Sequence, residues 1–170
     1  RAVNGDKVSY VVTRNINYTN ICKYTCHFCA FSKGKTKENL RGKPYLLSFD
    51  EIANRAYEAW NRGATEVCLQ GGIHPHFDGK TYINICNAIM KKVPDIHIHA
   101  FSPLEIQHGA STMDMSVENF LLLLKDSGLK TMPGTAAEIL DDRVRQHICP
   151  DKLKSEEWLD VIRTAHRVGI

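Results

Sequence analysis

Along the sequence, a short apolar strand, a loop and a helix follow one another repeatedly, and this order restricts the fold more than any other feature. Runs of β-branched or apolar residues mark the strands, and apolar residues that recur every three or four positions mark the helices. We predict strands over residues 8–15, 66–70, 96–101 and 129–132. We predict helices over residues 49–62, 82–92, 117–127 and 155–168, with a short helical stretch near 137–147.

Strands that alternate with helices predict an α/β fold with a parallel sheet and right-handed crossovers. In such folds the chemistry lies in the loops after the carboxyl ends of the strands. The distinctive segments of the sequence fall in these loops, at residues 22–29, 71–75, 102–105 and 133–135. The whole of segment 102–115 is predicted as a loop. We therefore expect one active-site face at this edge of the sheet.

Three cysteines lie close together in the loop after the first predicted strand. Cys22, Cys26 and Cys29 cannot all form disulfides within this segment, so metal ligation explains the spacing better. Three thiolates on a 4Fe-4S cluster leave one iron open, and that iron can bind S-adenosylmethionine (SAM). Phe28 before the last cysteine matches the Cys-x3-Cys-x-aromatic-Cys pattern of radical SAM proteins. The segment predicts a 4Fe-4S cluster, with SAM as the second cofactor.

Zinc is the alternative ligand for the same cysteines. Structural zinc takes four ligands, usually in two spaced pairs, and only His27 or a remote residue could supply the fourth here. The chain would then be a non-catalytic zinc-binding module. Cys68 and Cys86 fall in apolar strand and helix patterns and are predicted to be structural, whereas Cys149 is not assigned.

The composition indicates which kinds of partner the chain can bind and in which cellular compartment it is located. The chain has 22 basic and 19 acidic residues and is locally basic only at residues 33–37, so nothing favours nucleic acid. No apolar run approaches the ~20 residues of a membrane span. The cysteines do not form the pattern of a small secreted disulfide scaffold, and no signal-peptide pattern precedes them. We expect a cytoplasmic protein that binds neither nucleic acid nor membranes.

Two further segments are candidates for cofactor binding. Gly71 and Gly72 follow the second predicted strand, where a backbone without side chains can approach a ligand closely. A tight turn would also explain them, but beside a cluster loop they are predicted to contact SAM. Glu138 follows the fourth strand, where its carboxylate can accept hydrogen bonds from an amine or a ribose hydroxyl. A solvated side chain is the alternative for Glu138.

Candidates for substrate binding are His74, His99 and Glu105, each in or near a loop after a strand. His99 alternates with His97 on the third strand, so the two share one face. A metal site there lacks a carboxylate that can be placed, and packing or a substrate contact is the preferred interpretation. A surface turn for His74 and solvation for Glu105 are the alternatives. No catalytic residue is assigned.

With these residues, the chain resembles the tyrosine-using half of the 7,8-didemethyl-8-hydroxy-5-deazariboflavin synthases, a radical SAM family of deazaflavin biosynthesis. The likeness runs along nearly the whole sequence and rests on residues 15–22, 26–31, 71–75, 99–106, 133–140 and 148–152. It implies a transferase that joins the 4-hydroxybenzyl group of L-tyrosine to 5-amino-6-(D-ribitylamino)uracil. It also implies a partner radical SAM subunit or fused domain and an external electron donor.

The resemblance leaves one alternative enzyme open, and the sequence departs from the family in its number of βα units. A menaquinone-pathway radical SAM cyclase, which acts on a futalosine-type nucleoside, shares segment 99–106. Enzymes of the deazaflavin family close a full barrel, whereas this sequence supplies about four βα units. We therefore expect residues 1–170 to be the N-terminal half of a radical SAM TIM-type barrel. Such a fragment has unpaired strand edges, and we expect it to be poorly stable and inactive alone.

Overall fold

The computed structural model describes residues 3, 5–30 and 42–170. The basic segment 33–37 and Phe31 of the cysteine motif lie outside the described residues. Within the described part of the chain, one parallel sheet has the order β1 (Thr13–Asn17), β2 (Glu66–Gln70), β3 (His97–Ala100) and β4 (Leu129–Thr131). Each strand lies beside the one before it in the sequence, which confirms the predicted α/β fold with parallel strands.

Six helices accompany the sheet in the described part of the chain. They are α1 (Phe49–Asn61), α2 (Gly79–Lys92), α3 (Pro103–Thr112), α4 (Val117–Asp126), α5 (Asp142–Ile148) and α6 (Ser155–Arg167). The start of α1 follows from its sequence, because Ser48 and Glu51 form a capping box in which Ser48 Oγ accepts the Glu51 amide at 3.2 Å. None of these helices combines the length and the apolar character that a bilayer-spanning helix needs.

The two faces of the sheet differ sharply in polarity. One face is apolar, buried and packed under helices, with Ile16, Val67, Leu69, Ile98, Ala100 and Leu129 all in the core. The other face is polar and half-exposed, with Asn17, Cys68, Gln70, His99 and Thr131. In the described residues β1 and β4 each have one strand neighbour, so the sheet is open. Helices cover one face of the parallel sheet, as they do outside the strands of the predicted barrel.

The first strand was placed too early by the sequence pattern. Residues 8–12 include three valines but are exposed, and Val8 and Tyr10 are both 89% exposed. Pairing begins only at Thr13, opposite Glu66, and continues to Asn17, opposite Gln70. Strand propensity reports how well a side chain fits a pleated, half-buried surface, whereas the ladder exists only where β2 supplies a partner.

Segment 102–115 is largely helical, and its prediction as a loop is wrong. Ser102 caps α3 by accepting the amide of Glu105 at 3.3 Å, Pro103 occupies the first turn, and Glu105 reaches back to the Ser102 amide at 2.7 Å. The weak apolar periodicity of α3 has a physical reason. A side chain at Gly109 would meet the ring of Phe120 at 2.4 Å, so α3 needs small residues to pack closely against α4.

The short helix predicted near 137–147 begins later, at Asp142 in α5. Ala136 and Glu138 have positive φ angles of 65° and 46°, which an α-helix excludes. The preceding loop is held instead by the Arg145 guanidinium, which donates to the carbonyls of Ala136, Ala137 and Ile139. A buried cation from the next helix therefore decides the conformation of this loop.

Candidate active site

A cavity of about 420 Å³ opens at the carboxyl end of β1 and β2. Most of the residues nominated by the sequence line it, namely Cys22, Cys26, Cys29, Gly71, Gly72, Glu105 and Glu138. Lys152, to which the sequence assigned no role, lines the same cavity. The fold thus gathers the cysteine loop, the glycine loop and the loop after β4, as expected for the carboxyl edge of a parallel sheet.

The cysteine loop is fixed to the glycine loop by backbone contacts. The Ile73 amide donates to Cys22 Sγ at 3.3 Å, and the Lys23 amide donates to the Ile73 carbonyl at 2.8 Å. The Gly72 amide donates to the Thr19 carbonyl at 3.0 Å. These bonds place the first cysteine directly against the end of β2.

Glycine is required at both positions by close contacts. A Cβ atom at Gly72 would lie 2.3 Å from the Ile21 carbonyl oxygen and 2.9 Å from Cys22 Cβ. A Cβ atom at Gly71 would lie 2.4 Å from the ring of Tyr18. The pair is therefore more than a tight turn, because it lets the glycine loop touch the cysteine loop.

Glu105 is a buried anchor in the cavity wall. It is 1% exposed and accepts hydrogen bonds from the Tyr18 hydroxyl, the Gly71 amide and both the amide and hydroxyl of Ser102. Burial raises the pKa of Glu105, and the donors around it oppose that rise. Its solvated alternative is excluded by this burial. Its role as a substrate ligand stays a prediction, and its oxygens already hold Gly71 in place.

A second segment holds the cysteine loop from the opposite side. Asp151 accepts the Thr25 amide at 2.9 Å and the Thr25 hydroxyl at 3.1 Å. The His27 amide donates to the Ile148 carbonyl at 2.9 Å. We call residues 148–152 the brace. The local sequence pattern does not predict these contacts, because 126 positions separate Thr25 from Asp151.

Glu138 is engaged in ion pairs at the cavity wall. Its carboxylate lies 2.9 Å from Lys152 Nζ and 3.9 Å from Arg145 Nη1. The side chains of Lys152 and Arg145 are only 11% and 4% exposed. Burial by itself would lower the pKa of Lys152, but the hydrogen bond to Glu138 and the nearby Cys26 raise it above its ordinary value. Glu138 is thus a paired carboxylate, and its contact with a ribose stays a prediction.

The thiols of Cys22 and Cys26 resist ionisation. Burial raises the pKa of Cys22, and it raises the pKa of Cys26 to about 11, although Lys152 opposes the second shift. Both groups therefore carry protons at neutral pH. Since a metal binds the thiolate, assembly of a metal centre here must release protons.

His74 and His99 lie outside the cavity lining. His74 Nδ1 accepts the His76 amide at 3.2 Å, and its ring lies 5.1 Å from that of Phe77. His99 is on the polar face of the sheet, with Nδ1 2.7 Å from Thr131 Oγ1. The structure therefore does not bring these two histidines to the cysteines, and their role in substrate binding stays a prediction.

Residues 16–170 match the sequence model of the radical SAM superfamily. The chain belongs to the radical SAM superfamily. Its curated relatives include FO synthase of Streptomyces coelicolor, 49% identical over 170 residues, which cover 100% of this chain and 19% of the relative. They also include the 5-amino-6-(D-ribitylamino)uracil--L-tyrosine 4-hydroxyphenyl transferase of Archaeoglobus fulgidus, 52% identical over 170 residues, 100% of this chain and 47% of the relative.

Two solved structures share the fold of this chain. A methylornithine synthase superposes with a TM-score of 0.70 at 18% identity, over 92% of this chain and 42% of that protein. The FeFe-hydrogenase maturase HydG of Carboxydothermus hydrogenoformans superposes with a TM-score of 0.67 at 22% identity, over 93% and 34%. In every one of these comparisons the chain spans less than half of the other protein's length.

The residues of the site fit the cofactors of the superfamily, a 4Fe-4S cluster and SAM. Among the described residues, no three histidine, cysteine or carboxylate side chains converge on one point as ligands of a single metal ion would. Zinc needs that convergence at about 2.3 Å from each sulfur. A cubane is less demanding, because its cysteines bind separate irons at separate corners. The three thiols line one cavity, and the metal centre of the superfamily is the 4Fe-4S cluster.

Proposed function

We propose that this chain is the N-terminal, cluster-binding part of a transferase that joins the 4-hydroxybenzyl group of L-tyrosine to 5-amino-6-(D-ribitylamino)uracil. The observation that carries the proposal is the level and extent of identity to proteins bearing that transferase name. Relatives from Archaeoglobus fulgidus and Methanococcoides burtonii are each 52% identical, over 100% and 98% of this chain. The relatives named here are FO synthase and transferases of this name.

Cys22, Cys26 and Cys29 would hold the cluster. When bound, the cluster and SAM supply a 5'-deoxyadenosyl radical that activates tyrosine. The amides of Gly71 and Gly72 already donate to Glu105 and Thr19, so these glycines would offer their carbonyls to the amino group of SAM. Tyr18 and Glu105 lie beneath the glycines and keep that backbone in place.

The polar face of the sheet is the natural substrate side. It continues from the cavity along Asn17 and Gln70 towards His99, and these side chains offer hydrogen-bond donors and acceptors. A tyrosine carboxylate, its phenol and a ribityl chain all need such partners. The remaining part of a barrel, a partner radical SAM subunit or fused domain and an external electron donor belong to the same proposal.

The test is product formation by the complete protein that carries this chain. After anaerobic reconstitution with iron and sulfide, it is incubated with SAM, dithionite, L-tyrosine and the ribityl uracil, and products are followed by mass spectrometry. We expect an adduct of the two substrates together with 5'-deoxyadenosine and methionine. Conversion of a futalosine-type nucleoside, with no adduct from tyrosine, would contradict the proposal.

A matched pair of cysteine variants separates the cluster from general folding. Cys26→Ser should lose the broad visible absorption of the cluster and all adduct formation. Cys86→Ala changes a fully buried core cysteine of α2 and should keep both. A colourless, zinc-replete wild-type protein would instead support a zinc-binding module.

A further inference from the structure

The brace, residues 148–152, brings one cation into the cavity that holds the three cysteines. Asp151 and the Ile148 carbonyl fix the cysteine loop by hydrogen bonds to Thr25 and His27. Lys152 follows directly, with its Nζ atom 5.2 Å from the ring centre of Phe28, between Cys26 and Cys29 in sequence. The ammonium group is therefore held beside the cysteine loop.

The position of this ammonium group is over-determined. The Glu138 carboxylate binds the Lys152 ammonium group at 2.9 Å, and the Lys152 side chain is 11% exposed. Glu138 itself is presented by a loop whose positive φ angles at residues 136 and 138 are held by Arg145. A surface lysine that happened to lie near the cavity would need none of these supports.

Two carboxylates lie near the cysteine loop, the exposed Asp151 and Glu138, which lies in the cavity wall. One carboxylate, Glu138, faces two cations, Lys152 and Arg145, at 2.9 and 3.9 Å. The Arg145 guanidinium donates hydrogen bonds to backbone carbonyls, among them that of Leu153 at 2.7 Å. Lys152 thus places a cation next to the cysteines at a position of low exposure, where water screens its charge poorly.

We propose that Lys152 tunes the reduction potential of the cluster by stabilising its reduced state. A cubane on three thiolates is anionic, and one-electron reduction adds a further negative charge. A fixed cation beside the cysteine loop favours the more negative state, and net charge is one of the factors that set cluster potentials. The inference rests on the cluster of the proposed function, but not on its substrates.

The test measures the potential itself. The complete protein is reconstituted anaerobically, and the cluster is titrated with mediators and dithionite in the absence of SAM, followed by electron paramagnetic resonance. In Lys152→Met we expect about a tenfold smaller ratio of reduced to oxidised cluster at a fixed potential, equivalent to a midpoint about 59 mV lower. Lys152→Arg keeps the charge and should stay close to the wild type. Lys91→Met, at an exposed lysine of α2, should not change the midpoint.

Glu138→Gln gives the opposite sign and guards against a purely structural effect. It removes the counter-charge and leaves Lys152 in place, so the midpoint should rise. If Lys152→Met binds less iron, the direction of the Glu138→Gln shift decides. The role of Lys152 would be overturned if both variants assemble a full cluster and their midpoints are unchanged, or if the midpoint falls in both. The proposed function would not be affected by either result. A wild-type protein that assembles no cluster would overturn this role and the proposed function together.

Discussion

Gly72 is the point at which the glycine loop touches the cysteine loop, and a single methyl group there tests the whole arrangement. In Gly72→Ala the new Cβ would lie 2.3 Å from the Ile21 carbonyl oxygen. Carbon and oxygen atoms approach no closer than about 3.3 Å in ordinary contacts, so the two loops must separate by about 1 Å. Both sides of the contact are backbone, and no rotamer change can relieve it.

Forced overpacking of this kind costs about 1–3 kcal/mol of folding free energy. The displaced segment includes Cys22, whose Sγ accepts the Ile73 amide. We therefore expect Gly72→Ala to unfold at lower urea concentration and also to retain less iron and sulfide after reconstitution. Denaturation monitored by circular dichroism and chemical iron analysis measure the two effects.

Gly134→Ala is the matched control, because its Cβ would meet only Trp158 Cζ2 at 4.0 Å. It should unfold like the wild type and bind a full complement of iron. If Gly72→Ala matches this control in both stability and iron content, the contact between the two loops does not position the cysteines, and the argument fails.

Two further expectations concern buried charge. Arg145→Met removes a 3% exposed guanidinium that donates to four backbone carbonyls and should cost about 3 kcal/mol or more in urea denaturation, whereas the exposed Arg143→Met should have little effect. Glu105 has a raised pKa when folded, so the folded state holds its proton more tightly and stability falls as pH rises from the ordinary carboxyl value, about 4.3, through the folded value. Glu105→Gln should be less stable at low pH, because an amide mispairs with the Gly71 donor. Its stability should also lack the fall with rising pH that the titration of Glu105 causes. Equal pH slopes in urea titrations of the two proteins would contradict this.

The local features of the fold were available in the sequence. β2 was predicted with its observed bounds, and the start of α1 followed from Ser48 and Glu51, because a capping box involves residues only three positions apart. The same signal was present at Ser102 and Glu105 and was missed, since Pro103 and Gly109 favour a loop when considered without their neighbours. The error shows that close packing can stabilise a helix that has no clear apolar stripe.

The cysteine triad was likewise visible in the sequence, because three cysteines this close in the chain favour a metal centre, and its role as the cluster ligand set stays a prediction. The surroundings were decided only by tertiary structure. Asp151 reaches Thr25 across 126 positions, Lys152 meets the ring of Phe28, and Glu138 pairs with two cations instead of standing open. Spacing along the chain can nominate the ligands of a cluster, but the charges and backbone contacts around those cysteines come from segments that meet only when the sheet and its loops are folded.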